Sequence, residues 1–397
     1  MNDAHRIVAL RATPVNIPLE MPYRWSLGWV PGFSRTIVEI ETDSGHVGIG
    51  EAPSPAYAGI VAGWMQEALI GADPLDLAEC ERRCVGLSAA YRNSEDGAEE
   101  RAYGGIEMAL WDLRGKLLGQ SVAQLLGGRQ RDTVLFTEYF APRPWNEGGE
   151  RTNQQLIDYC VRMREEHGSH YFEGKVGSPR VQDDVRLVQG LREALGEDAF
   201  LRVDANMGWT VSEAAYALSA FAELGVRWVE EPVRSFAELA RLRAMSSIPF
   251  SSHEPSLQHA ARLGTPDAFV TNLAVLGGVR RAVQFIGACE ELGFEFWFYS
   301  PDTGVGNAAY LQVCAALDWL HQPNQTLLRW HTDDVIVGGP FRPERNEVVV
   351  PDGPGFGVEL DPEGLRRCHE RFLEEGPYDT HHDPDRPGQR GFARAAH

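Results

Sequence analysis

The spacing of apolar side chains divides the chain into two parts with different periods. In the first part, residues 7–18 and 35–41 alternate or cluster β-branched side chains, and Asp-Ser-Gly-His at 43–46 is typical of a hairpin turn. Apolar residues then recur at steps of three and four across Ala102–Leu118, which predicts an amphipathic helix. Residues 1–130 are therefore predicted to form a small α+β domain.

From Thr133 onward, short β-rich runs alternate with amphipathic helices. This alternation indicates parallel strands, because a parallel return needs a crossover. Eight such strands can close into a barrel over residues 131–334; an open doubly wound sheet is the alternative, but no Gly-x-Gly-x-x-Gly follows the early strands. The predicted strands are 134–139, 171–176, 200–204, 227–230, 249–252, 268–272, 295–299 and 327–330. The predicted helices are 153–166, 183–195, 212–224, 236–245, 256–263, 279–292 and 307–320.

Composition places the chain among soluble globular proteins. Of its 397 residues, 43% are hydrophobic and 24% are charged, and no apolar run approaches the ~20 residues that span a bilayer. The N-terminus does not resemble a signal peptide, so a cytoplasmic location is expected, with no membrane partner. The net charge of −20, without a basic stripe, argues against nucleic acid as a partner. The six scattered cysteines do not suggest a disulfide framework.

Carboxylates stand at the ends of three successive predicted strands, where a closed β/α barrel has its active site. Asp204, Glu230 and Glu254 are separated by 26 and 24 residues. Converging carboxylates repel one another unless a cation lies between them, and oxygen ligands favour Mg²⁺, with Mn²⁺ as a substitute. His253 abuts Glu254 and becomes a ligand itself if the register of strand five differs by one residue. The other interpretation makes each acid a surface residue.

Strand two ends near Lys175, an inward-facing barrel position beside the predicted cation. Burial and metal charge are both expected to lower the pKa of this amine toward neutrality, which suits a general base. In the alternative interpretation, Lys175 pairs with Glu173, two residues away on the same face. Glu173 and Asn206 are also candidate substrate contacts.

The order of short motifs along the chain resembles the mandelate racemase/muconate lactonizing branch of the enolase superfamily. The matching stretches include Gly-Ile-Gly-Glu-Ala at 48–52, 109–116, 125–128, 175–177, 203–206, Val-Glu-Glu-Pro at 229–232, Glu254, 276–279 and 351–355. The resemblance implies a modified (β/α)7β TIM-like barrel under a capping domain, which residues 1–130 form and a segment from about 335 to 397 completes. It also implies Mg²⁺ on Asp204, Glu230 and Glu254. The first step it implies is removal of the proton α to a carboxylate, giving an enolate held by the metal.

Opposite Lys175 the chain departs from that family pattern. Asn272 stands where racemase-like members carry an aspartate, and Tyr299 stands where they carry a histidine. The second face of the substrate therefore lacks a standard base. Tyr299, His253 and His331 are the candidates for an acid that protonates a leaving hydroxyl.

Four positions are further candidate substrate contacts. Asp302, in the loop after strand seven, either contacts substrate or caps the next helix. Arg24, after the first strand, either pairs with a distal carboxylate or is a surface charge. Asn272 and His253 complete this set.

The leading hypothesis is an acid-sugar dehydratase, a hydro-lyase in which Lys175 takes the α-proton and a β-hydroxide leaves. A racemase, epimerase or cycloisomerase using the same enolate chemistry is the second hypothesis, and a non-catalytic metal-binding relative is the third. The expected partner is a small-molecule carboxylate such as a sugar acid, and the chain is expected to form a homo-oligomer.

Overall fold

The computed structural model describes residues 5–26, 28–85, 97–143, 148–300 and 302–378. Its strands are β1 Ile7–Trp25, β2 Gly28–Thr42, β3 Val47–Ala52, β4 Thr133–Leu135, β5 Glu138–Phe140, β6 Tyr171–Lys175, β7 Phe200–Asp204, β8 Trp228–Glu230, β9 Phe250–Ser252, β10 Ala268–Thr271, β11 Glu295–Ser300, β12 Gln325–Thr326 and β13 Glu347–Val349. Its α-helices are α1 Ala58–Ile60, α2 Gln66–Leu69, α3 Leu77–Val85, α4 Ala98–Leu118, α5 Val122–Leu125, α6 Asn153–His167, α7 Val181–Leu195, α8 Val211–Glu223, α9 Phe236–Arg243, α10 Leu257–Leu263, α11 Leu273–Leu276, α12 Val279–Leu292, α13 Gly304–Ala316 and α14 Pro362–Glu375. No helix within these ranges is both long and apolar enough to cross a membrane.

Strands β1, β2 and β3 form an antiparallel sheet, and α4 packs closely on one of its faces. Two glycines of β3 allow this approach. A Cβ atom at Gly48 would lie 2.2 Å from the carbonyl oxygen of Ala109, and one at Gly50 would lie 2.1 Å from that of Gly105. The apolar stripe predicted for α4 is buried, and Ile106 is fully enclosed. We call β1, β2, β3 and α4 the cap.

Eight parallel strands, β5 to β12 in chain order, form the second sheet. It is nearly closed, because the backbone N–H of Thr137, beside β5, donates to the carbonyl of Asn324, beside β12, over 2.8 Å. The seven crossovers run through α6, α7, α8, α9, α10, the pair α11 and α12, and α13. The predicted modified (β/α)7β barrel with a separate α+β cap is confirmed.

Two barrel strands differ from the predicted ones. The stretch expected as strand one divides, so that β4 pairs antiparallel with β13 and only β5 enters the barrel. Residues 327–330, expected as strand eight, form no strand: the pairing with β11 occurs at β12, and a 3₁₀ turn occupies Leu328–Trp330. The apolar pattern there has another cause, since Trp330 is buried against Tyr23 of the cap with 5.7 Å between ring centroids.

An ion pair lies inside the barrel, one layer below the strand ends. Arg202 Nη2 is 2.6 Å from Glu173 Oε2, and both side chains are fully buried. Glu173 also accepts hydrogen bonds from Thr137 Oγ1 and Gln325 Nε2, each at 2.9 Å. The Arg202 guanidinium lies 4.2 Å from the ring centroid of Trp297. These contacts offset part of the desolvation cost of burying two charges.

The C-terminal helix α14 returns to the cap and packs on β1. The ring nitrogen Nδ1 of His369 lies 2.6 Å from the carbonyl oxygen of Pro14. Residues 379–397 of the expected C-terminal extension lie outside the described ranges. Domain boundaries near residues 130 and 334 stay a prediction.

Helix α4 also reaches a helix of the barrel. Glu107 accepts hydrogen bonds from the backbone N–H groups of Val279 and Arg280 at 2.6 and 3.0 Å, and from Trp111 Nε1 at 2.7 Å. Its carboxylate thus satisfies the first N–H groups of α12, which a helix cannot pair internally. The cap and the barrel are joined through this buried side chain.

Candidate active site

A cavity of about 560 Å³ lies between the outer end of the β1–β2 hairpin and the C-terminal ends of the barrel strands. The cap contributes mostly aromatic and aliphatic side chains, whereas the barrel contributes most of the polar ones. The lining includes Tyr23, Trp25, Val30, Phe33 and Arg35 from the cap, and Tyr139, Lys175, Asn206, His253, Thr271, Tyr299 and Gln325 from the barrel.

Asp204, Glu230 and His253 converge from three neighbouring strands beside this cavity. Each offers one ligand atom, and the three atoms lie within 4.8 Å of one another. Both carboxylates are fully buried, and Glu230 has no partner among the described residues except His253, whose Nε2 lies 2.7 Å from Oε1. Burial, followed by the charge of Asp204, raises the pKa of Glu230 to about 7. Buried carboxylates with so few donors fit a bound cation.

A backbone carbonyl orients the ring of His253. Nδ1 lies 3.0 Å from the oxygen of Val270, and since a carbonyl only accepts, Nδ1 carries the hydrogen. Nε2 is consequently the nitrogen that faces Glu230. Burial lowers the pKa of His253, but the charge and hydrogen bond of Glu230, together with the charges of Glu231 and Asp204, outweigh burial and raise it to about 10. When the ring is neutral, Nε2 holds the lone pair that a metal ion needs.

Glu254, the expected third ligand, lies outside this cluster. Strand β9 ends at Ser252, and the Glu254 side chain is 57% exposed, with Oε1 3.7 Å from Nδ1 of His259. Consecutive side chains at a strand end point to opposite sides, so only one of the two can enter the barrel. In this structure His253 enters it. The expectation is corrected to the alternative that the sequence left open.

Lys175 ends β6 beside the same cluster. Its Nζ lies 2.5 Å from Asp204 Oδ2 and sits over the rings of Trp25 and Tyr139, at 5.3 and 5.7 Å from their centroids. Burial alone lowers the pKa of this amine, but the charge of Asp204, with smaller contributions that include Glu230, holds it well above its ordinary value. The expected lowering is therefore absent in the protein alone. The alternative pairing with Glu173 is also absent, because Glu173 bonds Arg202.

Tyr299 and Asn206 also line the cavity. The ring of Tyr299 meets that of His253 edge-on at 4.7 Å, and its hydroxyl has no hydrogen bond to any described residue. Burial raises the pKa of Tyr299 to about 12, so the phenol stays protonated at neutral pH. Asn206 has a left-handed φ of 42°, and its backbone N–H donates to Asp204 Oδ1 over 2.8 Å. Its side-chain oxygen has no described partner.

Two family models match this chain. Residues 7–127 match the mandelate racemase/muconate lactonizing enzyme N-terminal domain, and residues 155–364 match the enolase C-terminal domain-like model. The chain belongs to the mandelate racemase/muconate lactonizing branch of the enolase superfamily. The predicted family is therefore confirmed.

Several relatives align with this superfamily member over almost their whole length. D-galactarolactone cycloisomerase of Agrobacterium fabrum is 31% identical over 381 residues, covering 91% of this chain and 98% of the relative. Cis-3-hydroxy-L-proline dehydratase of Roseibium aggregatum is 34% identical over 377 residues, covering 89% and 96%. The crystal structure of an enolase from Thermobispora bispora, complexed with magnesium and formate, superposes with a TM-score of 0.86 at 26% identity and covers 94% of each chain. The chain thus belongs to a family of enzymes, and its relatives include isomerases and a dehydratase.

Two residues expected opposite Lys175 do not line the cavity of this superfamily member. His331 is 1% exposed, packs 5.5 Å from Phe33, and has no hydrogen-bond partner for either ring nitrogen within the described ranges. Burial, followed by the charges of nearby arginines, lowers its pKa to about 3, so the ring is neutral. Asn272 caps α11 by accepting a hydrogen bond from the N–H of Val275 at 2.9 Å.

Three expected substrate contacts also lie outside the lining. Arg24 is exposed, because alternation along β1 turns its neighbours Tyr23 and Trp25 toward the cavity. Glu173 is fully buried in the ion pair below the strand ends. Asp302 is 6% exposed, and its Oδ1 lies 3.3 Å from Nε of Arg35.

Several lining residues were not candidates from the sequence, and Tyr139 and Arg35 are two of them. Tyr139 lies in the middle of β5 and ends the strand predicted over residues 134–139, so asking which residue ends every predicted strand would have identified it. Arg35 lies within β2, where a single arginine in an apolar strand was the available signal. Its side chain is only 11% exposed, although it carries a charge.

Proposed function

We propose that this protein removes the proton α to the carboxylate of a small hydroxylated acid and eliminates water, as an acid-sugar dehydratase does. One observation carries the proposal: the described cavity lining holds one lysine, Lys175, and a protonated phenol, Tyr299. The lining has two other groups that could act as bases: His253 belongs to the cation cluster, and the carboxylate of Glu231 accepts a hydrogen bond from the backbone N–H of His253 at 3.1 Å. Elimination needs one base and one acid, whereas racemisation needs a base on each face.

Asp204, Glu230 and His253 are the residues that would hold a divalent cation. Their donor set of two buried carboxylates and one correctly oriented imidazole nitrogen suits such an ion. A bound dication would supply the positive charge that stabilises the developing oxyanion and offsets the carboxylates around Lys175. Magnesium in the Thermobispora bispora relative supports Mg²⁺ as that ion, and Mn²⁺ is its natural substitute.

The side chains of the cavity account for each proton. Lys175 takes the α-proton. The electron pair of the broken α-carbon–hydrogen bond forms the new C=C bond as the β-carbon–oxygen bond breaks. Tyr299 gives its phenolic proton to the departing hydroxide, which leaves as water. Lys175 and Tyr299 then return to their starting states by proton exchange with solvent.

Cycloisomerisation is the second candidate, because it too needs only one proton-transferring base. The 31% identity to D-galactarolactone cycloisomerase favours it. In that reaction an internal carboxylate or hydroxyl of the substrate adds to, or leaves from, the β-carbon, and product and substrate have equal mass.

The test is a screen of sugar acids with Mg²⁺ in deuterated water, read by mass spectrometry. A product lighter by one water supports dehydration, whereas an isomeric product would establish cycloisomerisation or epimerisation instead. Lys175→Met is expected to abolish both turnover and deuterium uptake into recovered substrate. In Tyr299→Phe the rate of water elimination is expected to fall at least about 100-fold. Deuterium uptake into recovered substrate is retained, since the base remains.

Arg24→Met, on the exposed side of β1, is the matched control and is expected to behave as the unmodified protein. Turnover that survives in Lys175→Met would refute the assignment of the base. Failure of the unmodified protein to turn over any acid would favour the non-catalytic alternative.

A further inference from the structure

Arg35 is held rigidly at the cap side of the cavity. Its Nε lies 3.3 Å from both Glu51 Oε1 and Asp302 Oδ1. Its Nη1 donates to the carbonyl oxygens of Ser34 and Pro53 at 2.8 and 3.1 Å. Its Nη2 has no partner among the described residues. The guanidinium lines the cavity and therefore has one nitrogen, with two N–H donors, left for a ligand.

The charge of Arg35 is already compensated. Glu51 and Asp302 are both buried, and together they carry one negative charge if they share a proton and two if they do not. The group formed by these three side chains therefore has a net charge of zero or −1. Arg35 can donate hydrogen bonds to a ligand, but it has no spare positive charge to offer.

The same holds for every cationic side chain in the described lining. Each one contacts at least one carboxylate, so a second anionic group on the substrate would be buried without a counter-ion. A hydroxyl can accept from Arg35 without that cost. The contacts are Lys175 with Asp204 at 2.5 Å, His253 with Glu230 at 2.7 Å, and Arg35 with Glu51 and Asp302 at 3.3 Å.

We infer that Arg35 selects hydroxylated monoacids over diacids. This inference rests on the proposed function: the one carboxylate of the substrate goes to the cation cluster, and a neutral oxygen at the far end accepts hydrogen bonds from Arg35 Nη2. It differs from the expectation that an arginine of the cap pairs with a distal carboxylate.

A matched pair of acids tests this selectivity in the unmodified protein. Galactonate and galactarate differ only in whether the far end is a hydroxymethyl group or a carboxylate. With Mg²⁺ present, kcat/KM for galactonate is expected to exceed that for galactarate by at least about tenfold. Equal values, or a preference for galactarate, would overturn the inference while leaving the proposed function intact.

Two variants separate the hydrogen bond from the charge. Arg35→Met is expected to raise KM for galactonate at least about tenfold with a smaller change in kcat, because a uniform binding contact is lost. Replacing both carboxylates, in Glu51→Gln/Asp302→Asn, gives Arg35 an uncompensated charge and is expected to shift the ratio toward galactarate by about tenfold or more. Arg24→Met is the control for a distant arginine. An unchanged ratio in a folded Glu51→Gln/Asp302→Asn variant would contradict the charge argument.

If neither acid is turned over, calorimetry with Mg²⁺ and each acid decides the matter separately. Tighter binding of galactonate that weakens in Arg35→Met would support the selectivity even though the proposed reaction has failed. Tighter or equal binding of galactarate, or binding of neither acid, would refute it.

Discussion

The carboxyl group of Glu107 should make the stability of this protein depend on pH in an unusual direction. The side chain is 2% exposed and joins α4 of the cap to the start of α12 in the barrel. Burial raises its pKa from 4.5 to about 7, although hydrogen bonds from Arg280, Trp111 and Val279 lower it. The folded state consequently binds a proton at this site more tightly than the unfolded chain does.

The size of the effect follows from the difference between the two pKa values. Each pKa step is worth ~1.4 kcal/mol, so a rise of about 2.5 corresponds to ~3 kcal/mol. The stabilisation from protonated Glu107 is fully present below pH 4.5 and is lost as the pH rises through about 7. Above that pH the folded protein holds a buried carboxylate.

Glu107→Gln removes this titration and keeps a similar shape. One hydrogen bond to α12 is weakened by the amide, which gives an offset that does not change with pH. Urea unfolding of both proteins from pH 4.5 to 8 is the assay. The free energy of unfolding of the unmodified protein, minus that of Glu107→Gln, should fall by ~3 kcal/mol across this range.

A difference that stays constant or rises with pH would refute the reasoning. It would mean that the N–H groups and dipole at the start of α12 favour the carboxylate more than burial disfavours it. Asp352→Asn, at an exposed carboxylate, is the control for a lost acidic group.

Two further predictions concern charged groups of the barrel. His253→Ala is expected to weaken Mg²⁺ binding, measured by calorimetry, at least about tenfold, whereas Glu254→Gln leaves it unchanged; equal losses would contradict the choice of His253. Glu173→Gln leaves Arg202 buried beside Trp297 without a counter-ion and should lower the free energy of unfolding in urea by ~3–5 kcal/mol, with Glu173→Leu/Arg202→Met recovering most of the loss. Full stability of the single variant would argue that the pair contributes nothing.

The fold could be predicted because apolar side chains recur with one period in the strands and with another in the helices. Strands alternating with helices require parallel strands, eight of which can close into a barrel, and the strand-end acids Asp204 and Glu230 mark the rim that holds the candidate site. Local periodicity could not show that Trp330 is buried against Tyr23 of the cap, because apolar residues look alike in a strand and in a buried turn.

The remaining wrong predictions at the candidate site have two causes. One is a one-residue uncertainty in which side chain of a strand points inward, and the other is the charge of residues that are distant in the sequence. Whether His253 or Glu254 points inward depends on where β9 ends, which sequence patterns locate poorly. Arg24 is exposed for a similar reason, since strand alternation assigns the inward positions to its neighbours. The pKa of Lys175 depends on the distance to Asp204, a residue on another strand. Such distances exist only after folding.

The β1–β2 hairpin has two halves that differ in their tolerance of change. The inner half belongs to a sheet whose spacing from α4 is so close that Gly48 and Gly50 admit no side chain. The outer half, beyond a register shift between Pro18 and Tyr23, carries Tyr23 and Trp25 into the cavity. Substitutions in the outer half change the shape of the cavity without disturbing the spacing between the sheet and α4. New substrate preferences can evolve at the hairpin tip while the reacting groups on the barrel stay the same.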